Sequence, residues 1–175
     1  MATTMKLIAR QTLGSNAANV TFSDIPGTYT DLLLVCSTRS ARTGGPAADN
    51  INLEFNGNGS GYSVRALEGN SASASSYSAA SQSVLLSGYS SSDTTTASTF
   101  ASTAIYIPNY AGSTNKSVSS DSATETNGGA ANNAFIIAFA GLWANTAAIT
   151  SIKVISQVAN FMTNSSFTLY GITKA

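Results

Sequence analysis

The side chains able to do chemistry in this sequence are few, and the most useful one is missing. The chain contains no histidine, which removes the commonest general base and the commonest metal ligand. Ser-His-Asp and Cys-His nucleophiles and zinc sites are thereby excluded. Eight carboxylates remain: Asp24, Asp31, Asp49, Glu54, Glu68, Asp93, Asp121 and Glu125. Two of them could hydrolyse a glycoside if they flanked the scissile bond. All eight, however, fall in turn-like segments or on the polar side of alternating strands, where a solvated acid is the ordinary outcome. Asp121 and Glu125, four residues apart in an Asn/Gly loop, form only a weak calcium pattern. Gly57-x-Gly59-x-Gly61 is followed by no helix start and no Lys-Ser/Thr, so it is not a phosphate cradle. No catalytic, cofactor-binding or metal-binding residue is assigned.

The aromatics offer a different chemistry, stacking on sugars or on a partner surface. Tyr62, Tyr77 and Tyr89 flank Gly/Ser-rich segments and are the candidate surface-recognition residues. Tyr29, Tyr106, Tyr110 and Tyr170 adjoin strand ends and are assigned to core-edge packing. Trp143 ends a long apolar run and is assigned to the core. The single cysteine, Cys36, sits in Leu32-Leu33-Leu34-Val35-Cys36, the setting of a buried, unreactive thiol. It allows no disulfide within the chain. The four Asn-x-Ser/Thr triplets, at Asn19, Asn58, Asn115 and Asn164, are chance matches in a chain this rich in Asn, Ser and Thr.

The elements that must position these groups are strands. Ala134 to Trp143 is the longest apolar run. Bracketed by Asn132-Asn133 and Asn145-Thr146, it is expected to be a central strand covered on both faces. It is too short to cross a membrane, which takes about 20 apolar residues. Leu32 to Val35 is expected to be a second fully buried strand. Strands are also expected at Lys6–Thr12, Val20–Phe22, Ala104–Pro108 and Ser166–Ile172. In Ile51-Asn52-Leu53-Glu54-Phe55 the alternation points Ile51, Leu53 and Phe55 inward. Asn56-Gly57 then signals a hairpin, with Tyr62 to Leu67 as the returning partner. Thr126-Asn127-Gly128-Gly129 is a turn, and Lys116 to Asp121 is polar enough for an edge strand. Thr150 to Gln157 alternates like a strand, but Ala147 to Ile152 could form a helical turn. Residues 69–99 form a long Ser/Ala/Thr-rich loop region, with one short strand expected at Ser83 to Ser87. The sum is a single domain over 1–175 with nine to eleven strands: an all-β, jelly-roll-like antiparallel β-sandwich.

Composition narrows the setting. Charged residues make up 9% of the chain, against about 25% in ordinary soluble proteins. Eight acids balance eight bases, so no nucleic-acid partner is implied. A surface this neutral has little charge to resist association and suits a protein that packs against others. The first residues contain no apolar signal-peptide core, which is consistent with a product made and assembled in a cytoplasm.

Several elements together carry a family likeness. They are Phe22-Ser-Asp-Ile25-Pro26-Gly-Thr-Tyr29-Thr-Asp31-Leu32-Leu33-Leu34, Leu53-Glu-Phe55-Asn56-Gly57 with Tyr62-Ser63, and Ile105-Tyr106-Ile107-Pro108-Asn109-Tyr110. Gly141-Leu142-Trp143 with Ala148-Ile149-Thr150-Ser151-Ile152, and Leu169-Tyr170-Gly171-Ile172, complete the series. In this order the chain resembles a group of small structural proteins of tailed bacteriophages. The resemblance implies a non-enzymatic virion component assembled in the host cytoplasm. The leading expectation is a capsid decoration (cement) protein, homotrimeric, that binds the major capsid protein and stabilises the shell. The alternative is a tail or head-fibre module binding host-surface glycans, and a glycan-cleaving enzyme ranks third. No cofactor and no membrane partner are expected.

Overall fold

A computed structural model describes residues 4–70, 72–127 and 134–173. The expected turn at 126–129 and the Asn132-Asn133 bracket therefore lie wholly or partly outside the described residues, as do the first three residues. The described chain forms twelve strands and no helix: β1 (Met5–Thr12), β2 (Asn19–Phe22), β3 (Asp31–Thr38), β4 (Ala48–Phe55), β5 (Tyr62–Asn70), β6 (Ala74–Gln82), β7 (Leu85–Ser91), β8 (Ala101–Pro108), β9 (Lys116–Thr124), β10 (Phe135–Trp143), β11 (Ile152–Ser156) and β12 (Ser166–Ile172).

Neighbouring strands pair antiparallel in two sheets, ordered β1-β12-β3-β8-β9-β10-β5-β6 and β2-β11-β4-β7. Eight of the twelve form a kernel, β1-β12-β3-β8 against β2-β11-β4-β7. Numbered afresh along the chain, these eight pair 1-8-3-6 and 2-7-4-5, the double-sheet arrangement of a jelly roll. Two further strand pairs are inserted into it. β5 and β6 interrupt the kernel between β4 and β7, and β9 and β10 between β8 and β11. Both pairs extend the larger sheet beyond β8, so the sandwich has one wide layer and one narrow layer.

Alternation explains the core. Ile51, Leu53 and Phe55 point inward as expected and are fully buried. They meet Leu32, Leu34 and Cys36 of β3, Ile105 and Ile107 of β8, and Phe167 and Leu169 of β12. Phe161 meets Phe167 edge-on, with ring centroids 5.0 Å apart. Burial pushes the Cys36 thiol well above its usual range, which makes it inert.

The two expectations of fully buried strands fail for one physical reason: only the inner face of the wide sheet is covered. β10 is central, flanked by β9 and β5, but it is not buried on both sides. Phe135, Ile137 and Phe139 face inward, whereas Ile136, Ala138 and Ala140 are exposed. β3 behaves likewise, with Leu32 and Leu34 buried and Val35 exposed. β9 is no edge strand, since it lies between β8 and β10. Its inward face is polar, and this produced the misreading. Ser122 Oγ there accepts the Tyr89 N–H at 2.9 Å and bonds the Thr103 hydroxyl at 2.7 Å.

The Asn56-Gly57 turn forms, but not as a hairpin between paired strands. Both residues have positive φ, 54° and 67°, and the Asn58 N–H closes the turn on the Phe55 carbonyl at 2.9 Å, as a type I′ turn requires. The residues that follow carry the chain into the other sheet. β5 then pairs with β10 and β6, while β4 pairs with β11 and β7. The Asn56 side chain also settles the ambiguous segment after Ala147. Its Oδ1 accepts the N–H groups of Thr150 and Ser151, and its Nδ2 donates to the Ala148 carbonyl. That segment is an ordered loop leading into β11, not a helical turn.

The long loop expected at 69–99 is also corrected. Most of it is strand: the end of β5, all of β6, and β7 beginning at Leu85. β6 escapes pattern analysis because it is exposed along nearly its whole length, so nothing selects an apolar face. The strand expected at Ser83 to Ser87 meets only the start of β7 (Leu85–Ser91), whose extent is hidden because its buried residues include Ser87, Ser90 and Ser91.

Candidate functional site

Two features of the surface could carry function: the outer face of the wide sheet, and a cleft beneath its overhanging end. Strand register defines the face. One row runs across β3, β8, β9, β10, β5 and β6 as Val35, Ala104, Asp121, Ala138, Leu67 and Ser76. The next row runs Leu33, Tyr106, Ser119, Ala140, Arg65 and Ser78 over the same strands. Only Asp121 and Arg65 of these twelve positions are charged. Ile136 is 70% exposed and Leu67 65%, so two large apolar side chains stand nearly free on adjacent strands. Beside them an open groove of about 570 Å³ is lined by Leu67, Tyr77, Ala138 and Ala140 among others. A broad, nearly uncharged face with protruding apolar residues is the usual mark of a contact surface.

The cleft forms because β5 and β6 overhang the narrow sheet. It has a volume of about 240 Å³, with Val64, Ala79, Val84 and Leu86 as apolar wall. Asn50, Asn52, Gln82 and Gln157 supply amides, and Tyr77 supplies one aromatic ring. Such a mixture can take a neutral polar ligand, with the ring stacking and the amides hydrogen-bonding.

The three candidate recognition tyrosines have different fates. Tyr77 remains a surface group, 36% exposed at the cleft. Tyr89 is half-buried between the sheets, edge-on to Phe135 and Phe139. Its hydroxyl donates to the Glu68 carboxylate at 2.6 Å, so it is an internal brace. Tyr62 is a correction: it is 1% exposed. Its ring stacks within 14° of Trp143, its hydroxyl oxygen accepts the Phe55 N–H at 2.8 Å, and it donates to the Asn58 carbonyl at 2.9 Å. The neighbouring glycines suggested exposure, but Tyr62 shares its inward parity with Val64 and Ala66. Trp143, assigned to the core, is 1% exposed.

Several acids are engaged one by one. Asp31 accepts the Tyr106 hydroxyl and the Asn109 N–H, Asp93 pairs with Arg39, and Glu125 caps the N–H groups of Thr126 and Asn127. Asp49 is wholly buried among neutral donors. No cluster of three or more potential metal-ligating side chains occurs among the described residues.

The tyrosines give the protein a pH signature. Burial pushes Tyr62 up to about 12; burial, and then the nearby Glu68 carboxylate, push Tyr77 up to about 12. Burial and the hydrogen bond to Glu68 raise Tyr89 as well. A folded value above the unfolded one, which is about 10, favours the native state while the phenols stay protonated. That stabilisation is complete below about pH 10 and is lost as pH rises through about 12. The hydrogen bond to Asp31 raises Tyr106, and burial raises Tyr110. Buried Lys116 acts in the opposite sense, because burial lowers its value, but it is one group against five. The melting temperature is therefore expected to fall between about pH 10 and 12, with tyrosinate absorbance rising together with unfolding. Free ionisation of all seven tyrosines before unfolding would contradict the buried geometry.

Compared with known protein families, with curated proteins and with solved structures, the chain matches none. What the geometry defines is an all-β sandwich with one covered and one open sheet face.

Proposed function

We propose that the chain is a non-enzymatic structural protein of a tailed-phage particle: a capsid decoration protein that lays the outer face of its wide sheet on the shell. The observation that carries this reading is that face, two charges in twelve ordered positions, with Leu67 and Ile136 protruding. Laying such a face on a capsid would remove apolar surface from water at about 25 cal/mol per Å², with few charges to desolvate. The resemblance of the sequence to phage structural proteins supports a virion role and does not fix the place on the particle. The test is co-sedimentation of purified protein with undecorated heads. Wild type is expected to saturate the heads. The Leu67→Asp/Ile136→Asp variant, altered only at exposed positions, is expected to bind roughly 100-fold more weakly, as loss of two central anchors implies. Failure of wild type to bind, or undiminished binding by the variant, would contradict the proposal.

A second reading rests on the Tyr77 cleft, whose ring and amides suit a host-surface saccharide. Tyr77→Ala should then abolish retention on host glycans while leaving head binding intact. Unchanged retention, or none by wild type, would remove this reading.

A further inference from the structure

We propose that β6 is a docking edge for a second copy of this chain, two β6 strands pairing antiparallel about a two-fold axis to join two wide sheets into one. The sandwich has four sheet edges, and three carry devices that discourage strand addition. β1 bears Lys6 and Arg10 and has a register break between Leu7 and Ala9. β2 is only four residues long. β7 carries an extra residue, Ser87, opposite Ile51 and Asn52 of β4, and most of its residues are buried.

β6 has none of these protections over most of its length. It ends the wide sheet, runs for nine residues and is exposed along nearly all of them. Its sequence, ASSYSAASQ, contains no charge and no proline. The irregularity comes only at its far end, where Ser81 has φ 55°. An edge strand has one row of N–H and C=O groups without a strand partner, and such a row is a template for β-augmentation.

The same features identify the occupant as another copy. An uncharged strand laid against itself meets no like-charge repulsion, and Ser and Ala side chains let two backbones approach to pairing distance. On the outer face, Ser76 and Ser78 are too small to cover the groove beside Leu67. A partner strand's side chains would lean over it. Because each copy presents the same edge, the contact is isologous and closes at two. The inference thus departs from the homotrimer expected from the sequence, and it does not depend on the capsid reading.

The test is the mass of the full chain in solution by sedimentation equilibrium. Wild type is expected at twice the chain mass at micromolar concentration. Ser76→Lys/Ser78→Lys places like charges across the seam and is expected to weaken association roughly tenfold or more. The control Ser117→Lys/Ser119→Lys, on exposed positions of β9, should pair like wild type. Single cysteines placed in turn at Ser75, Ser76, Tyr77 and Ser78 supply a second readout that does not rely on lysine. The residue nearest the axis faces its own copy, so one member of the series should form a disulfide-linked dimer under mild oxidation. Cys36 is buried and stays silent. A one-copy or three-copy mass for wild type, undiminished pairing by the lysine variant, or no cross-link anywhere in the series would overturn the proposal.

Discussion

Replacing Arg39 by methionine is expected to lower stability by about 3 kcal/mol or more, because the change leaves several polar groups without their donor. Arg39 is 5% exposed. Its Nη1 donates to Thr95 Oγ1 at 2.9 Å and to the carbonyls of Thr96 at 2.9 Å and Thr99 at 3.0 Å. Its Nη2 donates to Asp93 Oδ1 at 3.1 Å and to the Thr95 carbonyl at 3.2 Å. One planar guanidinium thus folds the whole connection from β7 to β8. Methionine fills the space and satisfies none of these acceptors. For a chain of this size the loss corresponds to roughly 6–12 °C in melting temperature. Lysine should rescue little, since a point donor cannot serve a fork of acceptors. The ion pair itself is the minor part. The Asp93 side chain is 41% exposed, so Asp93→Asn should cost less than about 1 kcal/mol. Calorimetry of the three variants checks the ranking, and limited proteolysis should cut Arg39→Met first within 92–99. Equal losses for Arg39→Met and Asp93→Asn would show that the ion pair, not the carbonyl network, matters.

Asp49→Ala should be comparably damaging. The carboxylate is fully buried close to Arg39, beside Ser40, and gathers donors from three parts of the chain. It accepts the Ser40 hydroxyl at 2.7 Å, the Asn50 N–H at 2.9 Å and the Ser156 hydroxyl at 3.3 Å. The N–H groups of Val158 and Ala159 complete the set at 3.2 Å each. Each buried donor left without an acceptor costs about 1–3 kcal/mol, and local rearrangement brings the expected total to about 3–5 kcal/mol. Asparagine should recover only part, because its amide nitrogen points a donor at donors. Urea unfolding should show the midpoint falling at constant slope. A loss below about 1 kcal/mol would mean that water replaces the carboxylate.

Much of this fold was legible from the chain alone, and the gaps share a cause. Ile51, Leu53 and Phe55, the thiol of Cys36, and the strand from Ser166 to Ile172 all followed from alternation, because one face of each strand meets the core. The inserted strands were harder. β10 looked buried on both faces because its outer residues, Ile136, Ala138 and Ala140, are as apolar as its inner ones. That uncharged outer side is now the proposed contact surface. β9 looked like an edge because its buried side carries Ser120, Ser122 and Thr124, with Ser122 bonded to Thr103 of β8 and to the β7 backbone at Tyr89. β6 carried no pattern at all, as expected of a strand that packs little on either side. The recognition residues were least legible. Glycines beside Tyr62 marked a turn whose outcome, exposure or burial, depended on a change of sheet that alternation cannot reveal. Arg39 and Asp49 gave no local signal, since most of their partners lie far along the chain.

The central claim is that this chain decorates a phage head. Antibody-gold labelling of intact particles tests it most directly. Gold distributed evenly over the head is the predicted result. Gold confined to the tail or fibres, or absent from every particle, would contradict it.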